Sequence, residues 1–172
     1  MSAGDWFAVT SGQTLQFFFE RLKDVSGPED SSYEELLYNA SVLAHFAMTS
    51  TASGEGFPST PTSLTTVFDL FLLDRSCHAD PQIAEAAASQ CLLLTGFFQD
   101  QLRHRHNIEW YAAIGASFCD AAAHYGRDRA RASMMQTMAY KFPLWQSRQH
   151  RLAAELRDEQ RFWRTTVLAP TA

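Results

Sequence analysis

Cys91-Leu-Leu-Leu-Thr-Gly-Phe-Phe-Gln-Asp100, followed after the polar turn Arg103–Asn107 by Ile108-Glu-Trp-Tyr-Ala-Ala-Ile-Gly115, decides the fold. Both halves are dense in apolar residues without the period-two alternation of a half-buried strand. Asp80-Pro81 opens the first half with an N-cap residue followed by proline at the first helical position. Asn107 caps the second half, and Gly126 ends it. The spacing therefore predicts two helices, from about Asp80 to Arg103 and from Asn107 to Gly126, folded back as a hairpin. Each carries one interior glycine, Gly96 and Gly115, at a cost of about 1 kcal/mol against alanine, so close packing is expected at both. A turn centred between residues 105 and 106 places Gly96 level with Gly115, and Asp100 level with Tyr111. On this register Asp100 tethers the Tyr111 phenol, as a buried phenol wants a polar partner. A catalytic acid/base pair is the rarer use of the same two residues.

Working outward, helical periodicity continues in both directions. Leu15, Phe18, Phe19 and Leu22 follow the i, i+3, i+4, i+7 rule and predict a helix from about Gln13 to Val25, stopped by Ser26-Gly27-Pro28. Ser31-Ser32-Tyr33-Glu34-Glu35 holds the S-x-x-E capping pattern twice and starts a second helix reaching about Thr49. Leu64, Val67, Phe68, Phe71 and Leu72 suggest a third. Asp128 caps a helix that stops at Phe142-Pro143, because proline disfavours the helical conformation in the residue before it. The last helix carries Trp145, Leu152, Leu156 and Trp163 as its apolar stripe. No Asn-Gly or Asp-Gly hairpin turn occurs. The fold expected is all-α: a single-domain orthogonal or antiparallel bundle of six or seven helices spanning 1–172, with loose ends at about 1–10 and 167–172. The irregular stretch 49–62, rich in glycine, proline and hydroxyl side chains, is the expected mobile loop.

Composition bounds the function classes. With 46% hydrophobic and 13% aromatic residues in 172, the chain can build its own core without a metal or disulfide. Cys77, Cys91 and Cys119 are an odd count without CxxC spacing, which points to reduced thiols and a cytoplasmic setting. The apolar tract Val67–Leu73 is too short to span a bilayer, so no membrane role is expected. The net charge of −5 is unevenly spread: residues 1–100 carry three basic and thirteen acidic side chains, residues 101–172 eleven and six. Arg148, Arg151, Arg157, Arg161 and Arg164, with Trp145 and Trp163 among them, form the basic stretch of the last helix. Single-stranded nucleic acid suits such a mixture, but Glu155, Asp158 and Glu159 interrupt it. A pI near 5.6 argues the same way, and nucleic acid is not the expected partner.

Chemical constellations are sparse. His104 and His106 are two apart, which on a helix turns them to opposite sides, and zinc needs three or four ligands. They and their arginine neighbours are read instead as complementing the negative end of a helix dipole. His45, among alanine and leucine neighbours, is read as a core histidine. Cys77-His78 is an adjacency without triad geometry. No Walker A, G-x-G-x-x-G or H-E-x-x-H occurs, and neither a metal nor another cofactor is expected.

Thr95-Gly-Phe-Phe-Gln, Ile108-Glu-Trp-Tyr with Ile114-Gly115, and Lys141-Phe-Pro-Leu-Trp145 together resemble an uncharacterised family of helical bacterial proteins, over roughly residues 85–160. The resemblance implies a helical fold and no particular activity. The reading that results is a non-enzymatic interaction or regulatory module working through its C-terminal helices. Trp145, Arg148, Arg151 and Trp163 are its candidate contact residues, since arginine and tryptophan are favoured at interface hot spots. Asp100 and Tyr111 are further candidates. A homodimer is expected, because Phe17, Phe97 and Phe162 fall outside the clean inward stripes. The competing reading is a bundle holding a small apolar ligand in its aromatic core, with 49–62 as lid.

Overall fold

The computed structural model describes residues 11–28, 31–52 and 79–167. It is all-α: seven α-helical segments and one π-helical turn among the described residues, with no strand among them. We number the helices α1 (Ser11–Ser26), α2 (Tyr33–Ala52), α3 (Pro81–Leu92), α4 (Gln99–Leu102), α5 (Ile108–Tyr125), α6 (Arg129–Tyr140) and α7 (Phe142–Val167). The π-helical turn Leu93–Phe97 joins α3 to α4.

The caps fall where the sequence puts them. Asp80 accepts from the Gln82 and Ile83 amides, Asn107 from Trp110, and Asp128 from Ala130 and Arg131. Gly27 ends α1 in the left-handed region at φ 73°, which favours glycine. The expected loop starts later than its composition suggests: Thr49–Ala52 are the last turn of α2, with the Thr49 hydroxyl donating to the His45 carbonyl at 2.7 Å. The rest of that loop, the expected third helix, residues 1–10 and residues 168–172 lie outside the described residues.

Helix α1 packs on α2, α3 on α5, and α5 on α6, while α7 lies across the π turn and α1. The side chains at the centre, Phe98, Phe118, Phe142, Trp145, Leu22, Leu43, Met135 and Met138 among them, are fully buried. Phe46 and Phe97 each stand edge-on to Phe98 at 5.2 Å. Of the three phenylalanines expected to lie off the inward stripes, Phe17 and Phe97 are packed against the core, and the side chain of Phe162 lies outside the described residues. His45 is exposed on the outer face of α2, not in the core.

The two interior glycines serve two different neighbours and do not meet. A Cβ on Gly115 would stand 2.4 Å from Phe142 Cζ and 2.7 Å from Cys91 Cβ. A Cβ on Gly96 would stand 3.0 Å from Gln149 Cβ and 3.1 Å from the Gln146 carbonyl, on α7. The hairpin register therefore pairs Gly115 with Cys91. The equal-distance rule fails because it assumes one regular rod. The Phe98 amide bonds to the Leu93 carbonyl at 3.1 Å, five residues back, which widens the turn and rotates everything after it.

Candidate functional site

Helix α2 starts with Ser32, whose hydroxyl accepts from the Glu35 amide at 3.2 Å. In a full capping box the Glu35 side chain would return to the cap. Here it turns inward, and is buried. Its Oε1 receives Lys141 Nζ at 2.9 Å and its Oε2 receives Trp145 Nε1 at 3.1 Å. One turn along α2, the buried Asn39 donates to its own Glu35 carbonyl and accepts from Gln149 Nε2 at 3.2 Å. Arg148 lies with its guanidinium 4.7 Å from the Trp145 ring centre and donates to Ser31 Oγ at 3.2 Å. On the far side, Gln146 Nε2 donates to the Thr95 carbonyl at 3.2 Å, and the Thr95 hydroxyl donates to the Cys91 carbonyl at 2.6 Å. A polar layer thus runs through the core from α2, across α7, to the π turn. A carboxylate this buried and this fully supplied with donors is a clamp between helices.

Two candidate contact residues change role as a result. Trp145 is fully buried and Arg148 nearly so, so neither is a surface contact. Their spacing, i and i+3 on α7, looks like an exposed arginine–tryptophan face only while the facing carboxylate and hydroxyl are unknown. Arg151 is exposed and pairs with Glu155 one turn on at 3.2 Å. Trp163 belongs to α7, and its side chain lies outside the described residues.

Asp100 does not tether Tyr111 either. Its carboxylate receives Arg157 at 2.6 Å on Oδ2 and His150 Nε2 at 3.0 Å on Oδ1, with Arg103 out at 3.6 Å. Burial pushes this carboxyl up, but the His150 hydrogen bond and the charges of His150, Arg157 and Arg103 outweigh it, and the net shift is downward. With Arg21–Glu159 at 2.7 Å, Asp100 fastens the second half of α7 to α4 and α1. Tyr111 instead has its ring edge-on to His106 at 5.8 Å and to Trp110 at 4.9 Å.

Three surface features remain. Where α2 begins and α6 joins α7, large apolar side chains face outward: Tyr140 is 88% exposed, Tyr33 64% and Leu144 37%. At the α4–α5 turn, Arg103, His104 and Arg105 are exposed beside Trp110. Between the starts of α3 and α6 lies an open groove of about 900 Å³, lined by Asp80, Glu85, Tyr125, Arg127, Asp128 and Arg131 among others. Arg131 is held there by Glu85 and stacks over Tyr38, whose hydroxyl meets Ser89 at 2.9 Å. Among the described residues no three histidine, cysteine or acidic side chains come together as metal ligands. Among them, too, no helix is long and apolar enough to cross a membrane.

No protein-family model, no curated protein and no solved structure matches the chain.

Proposed function

We propose that the protein is a non-enzymatic helical interaction module that pairs with a second copy of itself through the Tyr33, Tyr140 and Leu144 end of the bundle. One observation carries the reading: at the α6–α7 junction Tyr140 is 88% exposed and Leu144, four residues on, 37%, while Tyr33 at the start of α2 is 64% exposed with its ring against Phe19. Tyrosine suits a surface that is wet in the free state and covered in the complex. The junction beneath is stiff, because Lys141 is bound by Glu35 and Trp145 is locked under it. Lys141 at this junction has its charge matched by Glu35. Two-fold pairing presents each of the three side chains twice and is the commonest soluble assembly. A working surface at this junction replaces the arginine–tryptophan face of α7, whose leading members are interior.

Light scattering on the purified protein tests this reading. A species of twice 19.4 kDa is expected, falling to 19.4 kDa in a Tyr140→Asp, Leu144→Asp variant of unchanged helicity. A wild-type chain that stays at 19.4 kDa at high micromolar concentration would end it.

A further inference from the structure

A second surface, distinct from the tyrosine end, carries an inference about a different kind of partner. The α4–α5 turn is rigid: the Arg103 amide bonds to the Gln99 carbonyl, both the Arg105 and His106 amides bond to Leu102, and Asn107 caps α5. From this fixed turn Arg103, His104 and Arg105 project into solvent, the Arg103 side chain being 57% exposed. Beside them runs a short ladder of rings, His106 against Tyr111 against Trp110, ending in an indole that is 47% exposed.

The charge here is poorly compensated. Asp100, the acid Arg103 approaches, is already held at 2.6 Å by Arg157 and at 3.0 Å by His150, so at 3.6 Å Arg103 has the weakest share of it. Glu109 is the one other acid in the 101–111 segment. Such a tip repels its own copy, so its complement is an acidic surface.

We propose that the α4–α5 tip docks an acidic peptide segment of another protein, with carboxylates on Arg103 and Arg105 and an apolar side chain against Trp110. Guanidinium groups match carboxylates in paired hydrogen bonds, and such charge-assisted contacts are stronger than neutral ones. A peptide is favoured over an extended polyanion by range. The whole chain carries −5, which opposes a long nucleic acid or a charged membrane approaching from a distance. A short segment feels chiefly the local field, within a Debye length of about 8–10 Å.

Fluorescence anisotropy of a labelled peptide of alternating glutamate and phenylalanine tests this on the full chain. Saturable binding that weakens with added salt is expected. An Arg103→Ala, Arg105→Ala variant should bind about tenfold more weakly, and Trp110→Ala several-fold more weakly. An Arg127→Ala, Arg129→Ala variant, which removes equal charge from exposed positions at the other end of α5, should bind like wild type. The proposal is overturned by absent binding, or by equal losses in the two arginine variants. It is overturned too if a single-stranded oligonucleotide or an anionic vesicle binds the tip more tightly than the peptide does. Light scattering on the same variants separates this site from the pairing surface, because the tip variants should keep the mass of the wild type.

Discussion

The indole N–H of Trp145 donates to Glu35 Oε2 at 3.1 Å, joining two side chains 110 residues apart at the centre of the bundle. Lys141 closes the same carboxylate from the surface side at 2.9 Å. Together they fix the start of α7 against the start of α2, and the junction that displays Tyr140 is built on them.

Removing that carboxylate should cost stability. Glu35→Ala takes the acceptor from the buried Trp145 N–H and removes one buried ion-pair partner of Lys141, a loss of about 3 kcal/mol by the behaviour of broken buried pairs. For a chain of this length that is a fall in Tm of about 6–12 °C. Glu35→Gln keeps an acceptor for Trp145 and should fall less. Thermal unfolding by circular dichroism reads both, and an unchanged midpoint in Glu35→Ala would show that the clamp is idle.

The glycines should differ in sensitivity. Gly115→Ala drives a methyl into Phe142 and Cys91 and is expected to destabilise by about 1–3 kcal/mol. Gly96→Ala needs a few tenths of an ångström from both Gln149 Cβ and the Gln146 carbonyl, less than the overlap at Gly115, and should be milder. Urea midpoints of the two variants, measured side by side, should fall in that order.

Asp100 gives a pH dependence whose sign is set by its lowered pKa. A depressed carboxyl contributes stability that is present above its unfolded value of about 3.9 and disappears as pH falls through the lower folded value. Asp100→Asn should therefore be less stable than wild type at pH 7, by about 1 kcal/mol or less for a half-exposed pair. The gap should close in acid, below about pH 4. A gap that persists unchanged to pH 3 would place the effect in packing instead of charge.

The thiols of Cys91 and Cys119 should be silent in the folded protein. Both are buried, and desolvation pushes each up to about 12, so almost no thiolate exists at pH 8. Titration with an aromatic disulfide reagent should release them only together with unfolding by denaturant. Rapid reaction of either thiol in buffer would contradict the packing of α3 on α5.

Much of the fold was legible because its signals are local. Asp80, Asn107 and Asp128 cap helices through side chains that reach only two or three residues, and Gly27 and Pro143 act on their own backbone. The candidate site was less legible because its chemistry is long-range. Ser32-x-x-Glu35 reads as a cap, and nothing nearby shows that Glu35 turns instead to Trp145, 110 residues away. The spacing of the arginines in α7 does not show that Ser31, Asp100 and Glu155 stand opposite Arg148, Arg157 and Arg151. The π turn at Leu93–Phe97 defeated the hairpin register, since a single widened turn carries no compositional mark beyond Thr95-Gly96. Tyr140 lies off the Met135 and Met138 inward positions of α6, and the spacing alone carries that sign of exposure.

Pairing through the tyrosine end is tested most directly by cross-linking from within it. In a Cys77→Ser background, Tyr140→Cys places a reactive thiol at the proposed interface, while Trp110→Cys places one on the α4–α5 tip. With a short bismaleimide at low micromolar protein, Tyr140→Cys should convert to a covalent dimer and Trp110→Cys should stay monomeric on a denaturing gel. Equal cross-linking at the two positions, or none at position 140, would contradict the assignment of this surface to a second copy.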